Sequence, residues 1–159
     1  MTTDYFQVRL YPRGAAPGLG RSRLLIPLGD IAEIVTVQQQ EICALPGVPQ
    51  GVTGVFNLRG QLIWTMDLRQ MNRTWVSESR LNPQGKVMLV LVTSSQGQVG
   101  CIAQELFGIA TCDSAAMVGI TPDLRRAYVF CDRQIEQDRN TTGVVIDTGQ
   151  LFRHLSLMA

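Results

Sequence analysis

Lysine is all but missing from this chain of 159 residues: Lys86 is the only one, and every other basic side chain is an arginine. Arginine carries a planar fork of donors that tolerates partial desolvation, so this bias suits protein contacts better than lysine would, and a codon or lineage bias accounts for it as well. There is no surplus of either charge, because the formal net charge is +1. That excludes a global field able to recruit nucleic acid or an anionic membrane. Histidine is equally scarce. His154 stands alone beside Arg153, in an expected terminal helix from Gln150 to Leu157, far in sequence from any reactive serine or cysteine. It is expected to be a polar face residue rather than a catalyst. The four cysteines, Cys43, Cys101, Cys112 and Cys131, have neither C-x-x-C spacing nor a neighbouring histidine. Reduced thiols are expected, some buried as small hydrophobes, with no zinc site and no disulfide framework. The longest strong apolar run, Val87 to Val92, is far below the ~20 residues of a membrane-spanning helix. The first residues show no cationic region followed by an apolar stretch, so no secretory signal and a cytoplasmic location are expected. Paired carboxylates, glycine-rich phosphate loops and an aromatic platform set among basic residues are also missing, which disfavours catalysis, nucleotide binding and nucleic-acid binding.

What is present reads as strands. Hydrophobic residues make up 45% of the chain and charged residues 17%, a normal balance for one folded domain. Phe6 to Leu10 alternates apolar and polar residues with the period of a half-buried strand. Pro12 to Gly20 is rich in proline and glycine and reads as a loop. Leu24 to Leu28 resumes an apolar strand, with Pro27 marking an edge or a strand end. Ile31 to Val37 could open with a helical turn, but its β-branched tail favours extension. Ala44 to Gln50 is a proline-punctuated connection with one helical turn expected after Pro49. Val55–Arg59 and Leu62–Met66 then form a hairpin turning at Gly60, and Asp67 caps a short helix from Leu68 to Met71.

From Asn72 the chain turns polar, and residues 72–86 are the best candidate for a seam between two subdomains. Val87–Val92 and Val99–Ala103 make a second hairpin around Ser94–Gly97. Further strands are expected at Ala127–Cys131 and Val144–Ile146, with a charged loop over Asp132–Asn140 between them. Leu62–Leu68 and Val144–Phe152 share one plan, an apolar strand, an aspartate and a helix, and two similar small barrels would explain that echo. Many short strands with Gly and Pro turns give an all-β barrel class.

The densest feature is Gly54-Val55-Phe56-Asn57-Leu58-Arg59-Gly60, followed by Leu62 to Arg69. Together with Ile31-Ala32-Glu33-Ile34-Val35, Leu45-Pro46 and Pro49, the strands Val87–Val92 and Val99–Ala103, and Val144–Asp147, it resembles the CheW family in order and separation over almost the whole chain. Those proteins are chemotaxis adaptors. The resemblance implies a single domain over residues 1–159 made of two intertwined five-stranded barrels, like Src-homology-3 folds, with the C-terminal segment returning to the first barrel. It implies no catalysis and no cofactor. Two partners follow: the regulatory domain of a CheA-type histidine kinase, and the cytoplasmic tip of a chemoreceptor. Carried over by position, Arg59 is the coupling arginine and Glu33 its acidic neighbour, while Ile31, Gly54 and Val55 stand near the receptor groove. Gly54 and Gly60 also read as backbone requirements, Asp67 as scaffold and Trp64 as core. The chain departs from the family pattern at Ala103-Gln104, where "V-D" is usual. Its 12–23 loop is long, and its 133–140 segment is unusually charged. Competing readings are a kinase-binding regulatory module without receptor contact, and a small-ligand-binding barrel.

Overall fold

The computed structural model describes residues 1–12, 14–15, 19–73, 75 and 85–156. Eleven strands are formed among them: β1 (Thr2–Arg9), β2 (Ser22–Pro27), β3 (Ile31–Gln38), β4 (Val52–Leu58), β5 (Gln61–Met66), β6 (Lys86–Ser94), β7 (Gly97–Ala103), β8 (Glu105–Asp113), β9 (Val118–Gly119), β10 (Cys131–Asp138) and β11 (Thr141–Ile146). Two short α-helices, α1 (Pro122–Ala127) and α2 (Thr148–Ser156), complete the set. Among the described residues no helix is long and apolar enough to cross a membrane.

Two curled sheets result, ordered β8-β1-β2-β11-β10-β9 and β3-β6-β7-β5-β4. Apart from the two-residue β9, each has the same plan. Within each, every strand pair is antiparallel except one, β2 with β11 and β5 with β7. The echo seen in the sequence is therefore real. β5 and β11 each run parallel to the second strand of a hairpin, and each ends at an aspartate, Asp67 or Asp147, whose backbone N–H returns to a carbonyl across the sheet. Both aspartates accept a backbone N–H from the helical turn that follows, from Arg69 and from Gln150.

The intertwining lies in the order of strands. β1 and β2 form a hairpin in one sheet, but the chain then crosses through a 3-10 turn at Leu28–Asp30 into the other sheet as β3. β6 and β7 form the corresponding hairpin, and the chain crosses back at Gln104 into β8. Residues 72–86 separate β5 from β6, which lie in one sheet, so the polar stretch joins two similar halves of sequence without dividing the sheets. Residues 74 and 76–84 of that stretch, and parts of the 12–20 loop, lie outside the described residues. The C-terminal strands β10 and β11 lie in the sheet of β1 and β2.

Three apolar clusters follow from this arrangement. One barrel is filled by Tyr5, Leu25, Cys112 and Val145. The other is filled by Phe56, Ile63, Leu89 and Leu91. The largest lies between the barrels, where Leu24, Ile26, Val90, Val92, Val99, Val144, Ile146 and Leu151 meet. Strands β2, β6, β7 and β11 bury residues on both faces, which is why they read as continuous apolar runs rather than alternations.

Other expectations fare unevenly. Pro27 closes β2, and the 3-10 turn precedes Ile31 rather than starting with it. No helical turn follows Pro49. Val52 is already in the strand, and its N–H bonds to the Pro49 carbonyl, closing a tight turn. The charged stretch after Cys131 is not a loop. It is β10, with Asp132, Arg133 and Glu136 exposed. Only two residues of β9 cover its outer side, and two bulges break its alternation, so solvent rather than core sets its composition. Ala127 ends α1 instead of opening a strand, although Tyr128 and Phe130 are buried. α2 begins two residues earlier than expected, and Leu157 lies outside the described residues.

Candidate functional site

The β4–β5 hairpin closes through Arg59 and Gly60, with Leu58 paired to Gln61. Both turn residues have positive φ, +50° and +89°, as a two-residue turn matched to strand twist requires. Gly60 adopts this freely, and its N–H is held by Asn57 Oδ1 at 2.8 Å. Arg59 is the only non-glycine residue with positive φ among the described residues. A left-handed conformation costs an L-residue roughly 1–2 kcal/mol.

The Arg59 guanidinium donates from Nη2 to Glu33 Oε1, forming an ion pair. The two side chains are 71% and 34% exposed, so the pair contributes only about 0–1 kcal/mol. Glu33 stands on β3 and Arg59 at the end of β4, the two outer strands of one sheet. The pair therefore bridges the edges of the curled sheet and holds the arginine at the rim with most of its donors facing water. Stability alone does not account for an arginine on this turn.

The remaining expected site residues do not gather around it. Ile31, paired with Val92, opens β3 half-buried against the core between the barrels. Val55 and Gly54 lie back along β4, roughly 13 and 17 Å from Arg59 at the usual rise per residue. Val55 exchanges two backbone hydrogen bonds with Cys43, at 2.7 and 2.9 Å. A Cβ on Gly54 would stand 2.2 Å from the Cys43 carbonyl oxygen. Gly54 thus admits the 43–44 segment against the strand, which is a backbone requirement in its own right.

The sequence reading missed Leu62. Directly across from Asn57 and next to the turn, it is 71% exposed. Strand period two contained the signal, since Leu62 and Ile63 cannot both face the barrel, and Ile63 is the buried one. β5 pairs with β7 only from Trp64 onward. Its first residues therefore flank an open groove of about 530 Å3, lined by Gln61, Leu62, Ile63, Thr93, Ser95 and Gln98.

Asp67 is scaffold. Its carboxylate takes Arg69 Nε at 2.9 Å, Arg69 Nη2 at 2.7 Å and the Arg69 backbone N–H at 3.1 Å. This pair lines a crevice of about 390 Å3 with Lys86, Met88 and Ile102, and its polar groups are satisfied by one another. Trp64 packs against the core between the barrels. His154 Nε2 meets the Gln50 carbonyl at 2.9 Å, tying α2 to the loop before β4.

Three of the four thiols are buried. Burial pushes Cys101 up to about 12, and burial also raises Cys112 and Cys131. All four cysteines are unpaired, and only Cys43 is exposed. Among the described residues no cluster of three His, Cys, Asp or Glu could hold a metal.

The described residues thus present two intertwined barrels, a rim arginine beside an open groove and three buried thiols. The CheW-like domain model matches residues 18–156, and the chain belongs to that family. Its structure is similar to the scaffolding protein TtCheW of Thermoanaerobacter tengcongensis, with a TM-score of 0.68 over 92% of this chain and 85% of that one. Their sequences are 16% identical, so the likeness is one of fold. No curated protein matches the sequence.

Proposed function

We propose that this protein is a non-catalytic adaptor that couples chemoreceptors to a CheA-type histidine kinase, in chemotaxis or pilus-based motility. It works in the cytoplasm, recruited to membrane-associated receptor arrays. Arg59 carries this reading: an exposed arginine kept on a strained turn, steadied by Glu33 and flanked by exposed Leu62. Such a corner offers a donor fork to a receptor carboxylate or helix end and a small apolar contact beside it. Ile31, Gly54 and Val55 shape the receptor groove from behind, Gly54 and Val55 by fixing the 43–44 segment. Family membership supports the absence of catalysis.

The test is a ternary pull-down with the regulatory domain of a CheA-type kinase and a receptor cytoplasmic tip, comparing wild type with Arg59→Glu. Charge reversal is expected to weaken the receptor arm about tenfold or more, with the kinase arm retained. Unchanged receptor binding by a variant with an intact circular dichroism spectrum removes Arg59 from the site. Kinase binding alone by the wild type indicates a regulatory module without receptor contact. If neither partner binds, the adaptor reading fails and a ligand in the 390 Å3 crevice becomes the better account.

A further inference from the structure

Strand register matches the residues of one barrel to those of the other. The hairpins that lead to Asp67 and Asp147 both have two-residue turns, Arg59-Gly60 between Leu58 and Gln61, and Arg139-Asn140 between Asp138 and Thr141. Counted from these turns, the two aspartates coincide without a gap. Arg139 is therefore the counterpart of Arg59.

The outer strands carry the same bulge. Ile31 and Glu33 face consecutive residues Val92 and Leu91, while Leu106 and Gly108 face consecutive residues Val8 and Gln7. Gly108 thus occupies the place of Glu33, and Arg139 lacks a carboxylate there. The pairs Trp64–Val99 and Val144–Leu24 match Gln98 with Arg23 and Gln96 with Arg21. The pairs Val92–Val99 and Val8–Leu24 match Thr93 with Arg9. Three neutral side chains, Thr93 and Gln98 in the groove beside Leu62 and Gln96 in the turn between them, become three arginines in the other barrel.

Those arginines surround an open notch of about 230 Å3, completed by Gly20, Asn140 and Thr141. Arg9 and Arg23 both lie over the Phe107 ring, 5.0 and 4.0 Å from its centroid. Stacking of this kind fixes a guanidinium while leaving its edge available. Glu105 offsets Arg9 at 3.3 Å. Among the described residues Arg23 donates to the neutral Gln7 amide, at 3.2 Å, and its charge reaches the exposed Asp138 carboxylate without forming an ion pair. Among the described residues Arg21, Arg23 and Arg139 form no ion pair. Asp138, the nearby acid, accepts the Asn140 N–H at 2.8 Å, and its pKa is lowered first by that bond and last by the charge of Arg23, so it offsets part of the positive strip.

We propose that this notch is a docking site for a carboxylate-rich segment of a partner protein. The positive charge runs from the exposed hairpin tip at Arg139 into the notch at Arg21 and Arg23. A strip of that kind suits a chain bearing several carboxylates better than a single ion. The inference rests on the internal repeat and on charge, and it stands apart from the receptor and kinase reading.

The probe is hexaglutamate, titrated into the full chain by calorimetry in low and physiological salt. Arg21→Glu and Arg139→Glu, both at exposed positions, are each expected to weaken binding at least tenfold. Gln96→Glu, the matching change in the other barrel, is expected to alter it less than twofold. Circular dichroism and thermal unfolding confirm that each variant is folded. Equal weakening by Gln96→Glu would reduce the effect to net charge and overturn the proposal. So would hexaglutamate binding that Arg21→Glu and Arg139→Glu leave intact, or the absence of binding by the wild type. Inorganic phosphate that displaces the peptide at equal concentration would mark a small-anion site instead, and would also overturn it.

Discussion

Replacing Gly54 by alanine separates a backbone requirement from a contact surface. The new Cβ would lie 2.2 Å from the Cys43 carbonyl oxygen and 2.7 Å from its carbon, both backbone atoms that cannot swing aside. The 43–44 segment must therefore move off β4, breaking the two hydrogen bonds between Cys43 and Val55. Each contributes about 1 kcal/mol. The φ of +153° adds roughly 1–3 kcal/mol for a residue with a side chain. Together these give about 3–5 kcal/mol, or a fall in Tm of roughly 10 °C for a chain of this size. Gly60→Ala is the control. Its φ is +89°, but nothing lies within 4 Å of the added carbon, so only about 1–2 kcal/mol of strain is expected. Urea unfolding followed by tryptophan fluorescence reads both variants. A Gly54→Ala protein no less stable than Gly60→Ala would refute the close-approach account and return Gly54 to consideration as a contact.

Two further outcomes concern buried groups. Tyr11, fully buried with its hydroxyl on the Ala127 carbonyl, is pushed up to about 12, first by burial, with Asn72 opposing and Asp67 adding. Its folded value exceeds the ordinary value of 10.0, so its contribution is complete below pH 10 and is lost as pH rises toward 12. About 3 kcal/mol should disappear over that window, and Tyr11→Phe should make the alkaline loss shallower by about that amount, the remainder coming from Tyr128 and the buried cysteines, whose pKa values burial also raises. A curve identical to wild type would contradict this. Asp67→Ala leaves Arg69 without a partner where both side chains are 11% exposed, so a loss of about 3–5 kcal/mol is expected. Asp147→Ala, which removes a helix cap and a neutral contact with the Gln150 amide, should cost about 1 kcal/mol in the same thermal assay. Equal losses would count against treating the Asp67 pair as buried scaffold.

The sequence was most informative where one physical requirement acted alone. Gly60 needed a positive φ, Asp67 needed a helix start after an apolar strand, and the aspartate echo marked two barrels of one plan. It was misleading where the environment reversed local preference. β10 looks like a loop because its outer face meets water and its bulges hide the period. β8 carries no strand signature in the sequence, because no strong alternation runs through Glu105–Asp113, and Gly108 at φ +89° interrupts it. The Arg59–Glu33 pair was legible only through family resemblance, since no local pattern brings β3 to the tip of the β4–β5 hairpin. Arg139 was hidden for a related reason: its match to Arg59 appears only when strand register aligns the two halves.

The exchange of hairpins between sheets also dictates the order in which the molecule can be completed. β3 to β7 are consecutive, so their sheet has all its strands once the chain reaches Ala103. β1 and β2, made first, find their long-range neighbours last, because Ser22 pairs with Thr142 and Thr2 with Asp113. The earliest hairpin must therefore stay unsatisfied on both edges through most of synthesis, an exposure that favours association with other chains. Closing so long a loop adds little to the final entropy cost but slows the search. Folding is then expected to be biphasic, with the barrel around Phe56 forming ahead of the barrel around Leu25.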